Sequence, residues 1–159
     1  MIINNIQELQ KKLFQNRNKK VVFTNGCFDI IHAGHVKYLK EAKTKGDILI
    51  IGINSDSSIK KLKGPKRPIN SLENRQIVLD ALKPVDYVIP FNEETPYNLI
   101  KQIIPDVLVK GGDWSINQIV GADIVLANQG KVLSLSFKEG FSTTNIIKKI
   151  KETYCFGKK

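Results

Sequence analysis

Short apolar runs alternate along this chain with segments whose apolar residues recur at helical spacing. Val21-Val22-Phe23 and residues 47–53, 85–90, 107–110 and 132–137 are dense in Val, Ile, Leu and Phe, the pattern of strands buried on both faces. Between them lie helical stretches. Ile6, Leu9, Leu13 and Phe14 define an amphipathic helix over 5–15 with Asn5 as its cap. A second opens at His32 and runs through Leu39, with Gly46 as its stop, and Asn54-Ser55-Asp56 caps a short third. Asn70 and Glu73 read as a capping pair for a helix through Leu82. Thr95-Pro96 starts another that ends before Pro105, 119–128 stops near Gly130, and 145–150 forms the last. Strand, helix and strand at this spacing make right-handed βαβ units. The expected class is therefore α/β: a doubly wound parallel five-stranded sheet with helices on both faces. Residues 1–159 are expected to form a single domain, with 1–19 as a helix and link and 151–159 as a frayed basic tail.

Composition narrows the options only slightly. No apolar run approaches the roughly 18 residues of a membrane span, and the opening Met-Ile-Ile-Asn-Asn lacks the pattern of a secretory signal, so the expected location is cytoplasmic. The two cysteines, Cys27 and Cys155, argue against a disulfide framework, and with the two histidines against structural zinc. A formal charge of +10 suits a nucleic acid, a nucleotide or a phosphorylated metabolite, and equally a solvated lysine surface. Placement has to decide.

The placement points to anions. His32 and His35 share one face of the first turn of a helix, beside backbone N–H groups and the positive end of the dipole. Residues 60–68, the densest basic segment, follow the second strand, where Gly64, Pro65 and Pro68 exclude a regular helix. Lys63, Lys66 and Arg67 are thus expected on a loop that closes over a triphosphate. Arg75, in the first turns of its helix, opposes the dipole, which favours an anion contact over a stabilising role. Gly111-Gly112 permits close backbone approach, Asp113 suits a sugar hydroxyl, and Trp114 suits packing and stacking equally. Ser142, Thr143 and Thr144 mark a second phosphate-binding helix start. Cys27 reads as a small residue in a tight turn in preference to a nucleophile. The first strand is not followed by Gly-x-Gly-x-x-Gly, which disfavours a dinucleotide site.

Cys27-Phe28-Asp29 followed by His32-Ala-Gly-His35 resembles the signature of the nucleotidylyltransferase superfamily. With Arg67-Pro68, Glu73-Asn74-Arg75, Val109-Lys-Gly-Gly-Asp-Trp114 and Phe141-Ser-Thr-Thr-Asn-Ile-Ile147, the likeness spans 21–150 and is nearest to D-glycero-β-D-manno-heptose 1-phosphate adenylyltransferases. That resemblance implies a Rossmann-like fold, ATP with Mg²⁺, heptose 1-phosphate as acceptor, and ADP-heptose and pyrophosphate as products that feed surface-glycan assembly. It implies catalytic roles for His32, His35, Lys66 and Arg75. The nucleotide would be bound by Thr24, Asn25, Gly26, Cys27, Phe28, His32, Gly34, His35, Lys63, Lys66, Arg67, Gly112, Ser142, Thr143 and Thr144. Asp29, Lys110 and Asp113, which follow strand ends, are the candidate sugar-phosphate contacts, and no residue is assigned as a metal ligand. Expected partners are a second copy of the chain, in a dimer or tetramer, and neither nucleic acid nor membrane. Glycerol-3-phosphate cytidylyltransferases are the nearest alternative. They carry an arginine at the position of Phe137, which leaves open the cation that replaces it. A basic nucleic-acid-binding domain and an idle nucleotide sensor are the alternatives from other classes.

Overall fold

Val22 and Phe23 are adjacent, both wholly buried, and belong to different cores. Their strand is covered on both faces, and its period of two divides successive side chains between them. The computed structural model describes residues 1–136 and 142–154. Five parallel strands, β1 Val21–Gly26, β2 Ile48–Asn54, β3 Tyr87–Phe91, β4 Val107–Gly111 and β5 Lys131–Leu135, lie in the order β3-β2-β1-β4-β5. Helices α1 Ile6–Gln15, α5 Tyr97–Ile103 and α6 Ala122–Ala127 pack with Phe23 and Ile50 on one face. On the other, α2 Ala33–Lys43 and α4 Leu72–Asp80 pack with Val22, Leu49 and Ile51. Each such Ile, Leu or Phe contributes about 2 kcal/mol on burial. Helix α3 Asp56–Lys63 follows β2, and α7 Thr143–Tyr154 closes the described chain. This is the doubly wound, Rossmann-like sheet expected. Among the described residues no helix is long and apolar enough to cross a membrane.

Several boundaries differ from expectation for local reasons. The basic segment begins as helix, because Ser55 caps α3 and the helix runs to Lys63 before Gly64 turns it out with φ +89°. Ser71, not Asn70, caps α4 by accepting from the Asn74 N–H, and Pro96 stands at the cap of α5, one position earlier than expected. Thr44 ends α2. Gly46 is instead a close-approach site, where a Cβ would lie 2.7 Å from the Lys20 carbonyl oxygen. Helix α6 starts only at Ala122, after a 3-10 turn at Ile116–Gln118, and α7 continues through Tyr154, where a frayed tail was expected. Residues 2 and 3 were not anticipated as part of the sheet: Ile2 bridges to Val88 beside β3 and Ile3 is fully buried. Phe137 lies outside the described residues.

The two ends of the sheet differ in kind. At the strand starts, aspartates complete the backbone: Asp106 accepts from the Val21 N–H at 2.7 Å and Asp86 from the Leu49 N–H at 2.7 Å. At the other end the sheet parts. Strand β1 pairs with β2 through all six positions, but with β4 only at Val22↔Val107 and Phe23↔Leu108. Side chains then take over as rungs. The Tyr38 hydroxyl lies 2.6 Å from Thr24 Oγ1 and donates to the Val109 carbonyl at 3.3 Å. One residue further on, Lys110 Nζ donates to Asn25 Oδ1 at 3.3 Å. The parting lies between β1 and β4, where strand order reverses and doubly wound sheets bind ligands.

Candidate active site

The loop from β1 to α2 forms the floor of the cleft. Gly26 allows it to fold back tightly, since a Cβ there would lie 3.0 Å from the Phe28 ring. Phe28 is buried at φ +46°, a conformation that bulky side chains rarely adopt and that its surroundings must impose. Its ring lies 5.3 Å from that of His35. His32 caps α2 with its own Nδ1, which accepts from the His35 N–H at 3.4 Å, so its ring proton sits on Nε2. One first-turn donor of the expected anion site is therefore already engaged. The two imidazoles stack with centroids 3.8 Å apart. Burial, with the neighbouring His32 and Lys63, pushes His35 down to about 4, and burial lowers His32 as well. Both shifts favour the neutral imidazole. The buried Nδ1 of His35 has no partner among the described residues.

Two lobes open from this floor. The first, about 150 Å³, is bounded by His35, Arg67, Gly111 and Thr143. The second, about 470 Å³, lies toward β3 and is bounded by Glu94, Pro96, Trp114 and Gln118. Asn25, Gly26, Cys27, Lys63 and Lys110 line both. Burial lowers the Lys110 ammonium below its ordinary value, as expected of a cation on a desolvated wall. Lys63 reaches the junction from the end of α3, fixed by helix instead of a mobile loop.

Several expected contacts are corrected by this geometry. Thr24 is fully buried against Tyr38 and presents nothing to a nucleotide. The Asp29 carboxylate is consumed within the chain, accepting from Arg67 Nε at 2.6 Å, the Ile69 N–H at 2.8 Å and the Asn70 N–H at 2.9 Å. Burial alone would raise its pKa, but those hydrogen bonds hold it below the usual carboxylate value. Asp29 thus borders the smaller lobe, but its carboxylate is spent on pinning the basic loop. Arg75 is 1% exposed and has no side facing the cleft. It donates to the Cys27 carbonyl at 2.7 Å, the Asn54 carbonyl at 2.9 Å, the Asn70 carbonyl at 3.1 Å and the Asp56 carboxylate at 2.7 Å. It clamps three segments of the chain in place of an anion. Lys66, Gly112, Asp113, Ser142 and Thr144 line neither lobe, nor do His32 and the buried Gly34. Gly112 serves the backbone, with φ +112° and its N–H on the Leu135 carbonyl at 2.9 Å. Ser142 caps α7 through the Asn145 N–H at 3.0 Å. Glu94 and Gln118 were missed, because a single exposed Glu in a polar loop carries no pattern in the sequence.

A family model described as cytidylyltransferase-like matches residues 23–149. The bifunctional protein HldE of Pectobacterium carotovorum is 55% identical over 147 residues, which cover 91% of this chain and 31% of that protein. The bifunctional protein HldE of Pseudomonas fluorescens is 60% identical over 136 residues, 86% of this chain and 28% of its own. This chain therefore spans less than a third of those relatives' length. A crystal structure of the lipopolysaccharide core biosynthesis protein from Thermoplasma volcanium superposes with a TM-score of 0.62 at 27% identity, covering 77% of this chain and 99% of that one. A pantoate-β-alanine ligase from Francisella tularensis, TM-score 0.61 at 17% identity over 96% of this chain and 78% of its own, shares the fold alone. The motif segments gathered at the parting of a parallel sheet, and the match over 23–149, place this chain in the cytidylyltransferase-like family.

Proposed function

We propose that this chain is an adenylyltransferase that moves AMP from ATP to D-glycero-β-D-manno-heptose 1-phosphate in the cytoplasm. The observation that carries the reading is the junction of the two lobes, where Lys63 and Lys110 line both. Two anionic substrates that meet there have their phosphates between the same two cations. The acceptor's identity is supported by the motif resemblance and by the 55% identity to a bifunctional HldE protein.

The chemistry asks little of the protein beyond placement. A sugar phosphate, with a second pKa of roughly 6, is already mostly dianionic at neutral pH. Its oxygen attacks the α-phosphorus of ATP, the bond from that phosphorus to the bridging oxygen breaks, and pyrophosphate leaves with the electron pair. No general base is required. Arg67, Thr143 and the Asn25–Phe28 loop hold the polyphosphate in the smaller lobe. His35, steered by the stacked His32, meets the charge that develops there. Negative charge beside the pair opposes the burial that keeps it neutral and favours the protonated form. Catalysis of this kind is electrostatic and positional.

Magnesium would arrive with the nucleotide. Among the described residues no group of three His, Cys, Asp or Glu is placed to hold a metal, and the Asp29 carboxylate is already engaged. The phosphates and water are its natural ligands, and no step of the protein's own groups runs through it.

The test is a matrix of ATP and CTP against heptose 1-phosphate and glycerol 3-phosphate. Pyrophosphate release is measured and the product identified by mass, with His35→Ala alongside. ADP-heptose should form fastest, and the variant should lose on the order of 10²–10³ in kcat. CDP-glycerol as the faster product overturns the assignment.

A further inference from the structure

We infer that the larger lobe reads the hydroxyl groups of a polyhydroxylated phosphate acceptor through Glu94 and Gln118, with Glu94 as the specificity-determining residue. The inference rests on the adenylyltransferase reading for the identity of the reaction, but its geometry stands apart from it.

The β3–α5 loop is built so that one of two adjacent glutamates is structural and the other is not. Glu93 accepts from the Asn92 N–H at 3.1 Å and the Asn98 amide at 3.5 Å. Its carbonyl accepts from Ser58 Oγ at 2.7 Å, and buried Ser58 is itself held by the Asn54 amide at 3.0 Å. That chain ties the loop to the end of β2 and the start of α3. Glu94 comes next, lines the larger lobe and has no partner among the described residues. Gln118, on the facing wall, uses its backbone N–H in the 3-10 turn, and its side chain is also without a partner.

The remaining wall confines the ligand without competing for it. Trp114 has spent its indole N–H on the Gly111 carbonyl at 3.1 Å, so it offers only its ring surface, and Pro96 and Ile119 add aliphatic surface. The charges are graded along the lobe. Lys63 and Lys110 lie at the junction with the smaller lobe, whereas Glu94 lines only the larger one. A carboxylate repels a polyphosphate but accepts hydrogen bonds from hydroxyls, and such charge-assisted bonds are the stronger kind. An acceptor with its phosphate at the lysines and its hydroxyls toward Glu94 satisfies both ends. The triphosphate fits the reverse way, in the smaller lobe with Arg67 and Thr143.

The experiment compares the wild type with Glu94→Gln and Glu94→Ala. It measures calorimetric binding of D-glycero-β-D-manno-heptose 1-phosphate and of glycerol 3-phosphate, KM for ATP, and melting temperature. Both variants should bind the heptose phosphate at least about tenfold more weakly, since an unpaired polar group is what such a site penalises. Glycerol 3-phosphate binding should change by less than about threefold, with ATP KM and melting unchanged because Glu94 holds nothing together. Equal loss for both acceptors, no loss, or no heptose phosphate binding to the wild type overturns the inference. Selective binding that is lost in Glu94→Gln, with no adenylyl transfer by the wild type, supports it and sinks the reaction assignment instead.

Discussion

Asp29 holds Arg67 by one nitrogen and leaves another without a partner. Its Oδ2 accepts from Arg67 Nε at 2.6 Å, whereas the buried Nη2 of Arg67 has no partner among the described residues. The same carboxylate gathers the N–H groups of Ile69 and Asn70, so a single side chain fixes both the guanidinium and the loop that carries it.

Asp29→Asn should therefore loosen the loop without emptying the cleft of its cations. The amide offers one acceptor oxygen where the carboxylate offers two, and a charge-assisted hydrogen bond is lost. A loss of about 2 kcal/mol is expected, equivalent to a fall of about 4–8 °C in melting temperature. The KM for ATP should rise by about tenfold as Arg67 loses its orientation. Unchanged melting with a higher heptose phosphate KM would return Asp29 to the sugar.

Arg75→Met tests the clamp. The substitution keeps much of the volume but leaves the carbonyls of Cys27 and Asn54 without their donor, at a cost of about 3 kcal/mol. Melting should fall by about 6–12 °C, and both KM values should rise together because the floor and α3 shift as a unit. Arg75→Lys should recover part of the melting temperature. A normal melt with only ATP binding impaired would show that this arginine meets the nucleotide after all.

Lys63 and Lys66 are three residues apart, yet only Lys63 lines the lobes. Lys63→Ala should lower kcat/KM by at least about tenfold, the loss of one charge contact at a junction of phosphates. Lys66→Ala should stay within about threefold, since Lys66 is exposed and outside both lobes. Steady-state kinetics with ATP and heptose 1-phosphate separates them, and the reverse ranking would move the triphosphate outward.

His35 should leave a mark on stability against pH. Its value in the folded chain is about 4, below the ordinary 6.5. Below 6.5 the unfolded chain takes up the proton first, so stability is full above that value and is lost as pH falls toward 4. About 1 kcal/mol should go across that window once solvent screening is counted. The difference in melting temperature between wild type and His35→Gln, followed from pH 7 to 4.5, isolates it. A constant difference would mean that the imidazole titrates normally.

Much of this was legible in the sequence because it rests on local pattern. The strands follow from runs such as Ile48–Asn54, and the histidine pair from its spacing and helix start. Arg75 was misread because periodicity reports which face a residue occupies, not what the rest of the chain brings to it. Cys27, Asn54 and Asp56 reach Arg75 only through the tertiary fold, as Arg67, Ile69 and Asn70 reach Asp29. The capping error at Asn70 has the same origin: its side chain donates to the Asp29 carbonyl at 2.5 Å, which leaves Ser71 to start the helix. Glu94 was invisible for the opposite reason, since an unpaired side chain in a polar loop resembles any other.

Backbone ladders set neighbouring strands about 4.8 Å apart whatever the sequence. Beyond Phe23 and Leu108 that constraint ends, and Tyr38 and Lys110 join β1 to β4 by the length of their own side chains. The aperture of the cleft thus depends on two side chains that stand outside the β1–β4 backbone ladder. Shortening or lengthening either rung is a route by which one scaffold acquires mouths of different width, and so accepts acceptors of different girth.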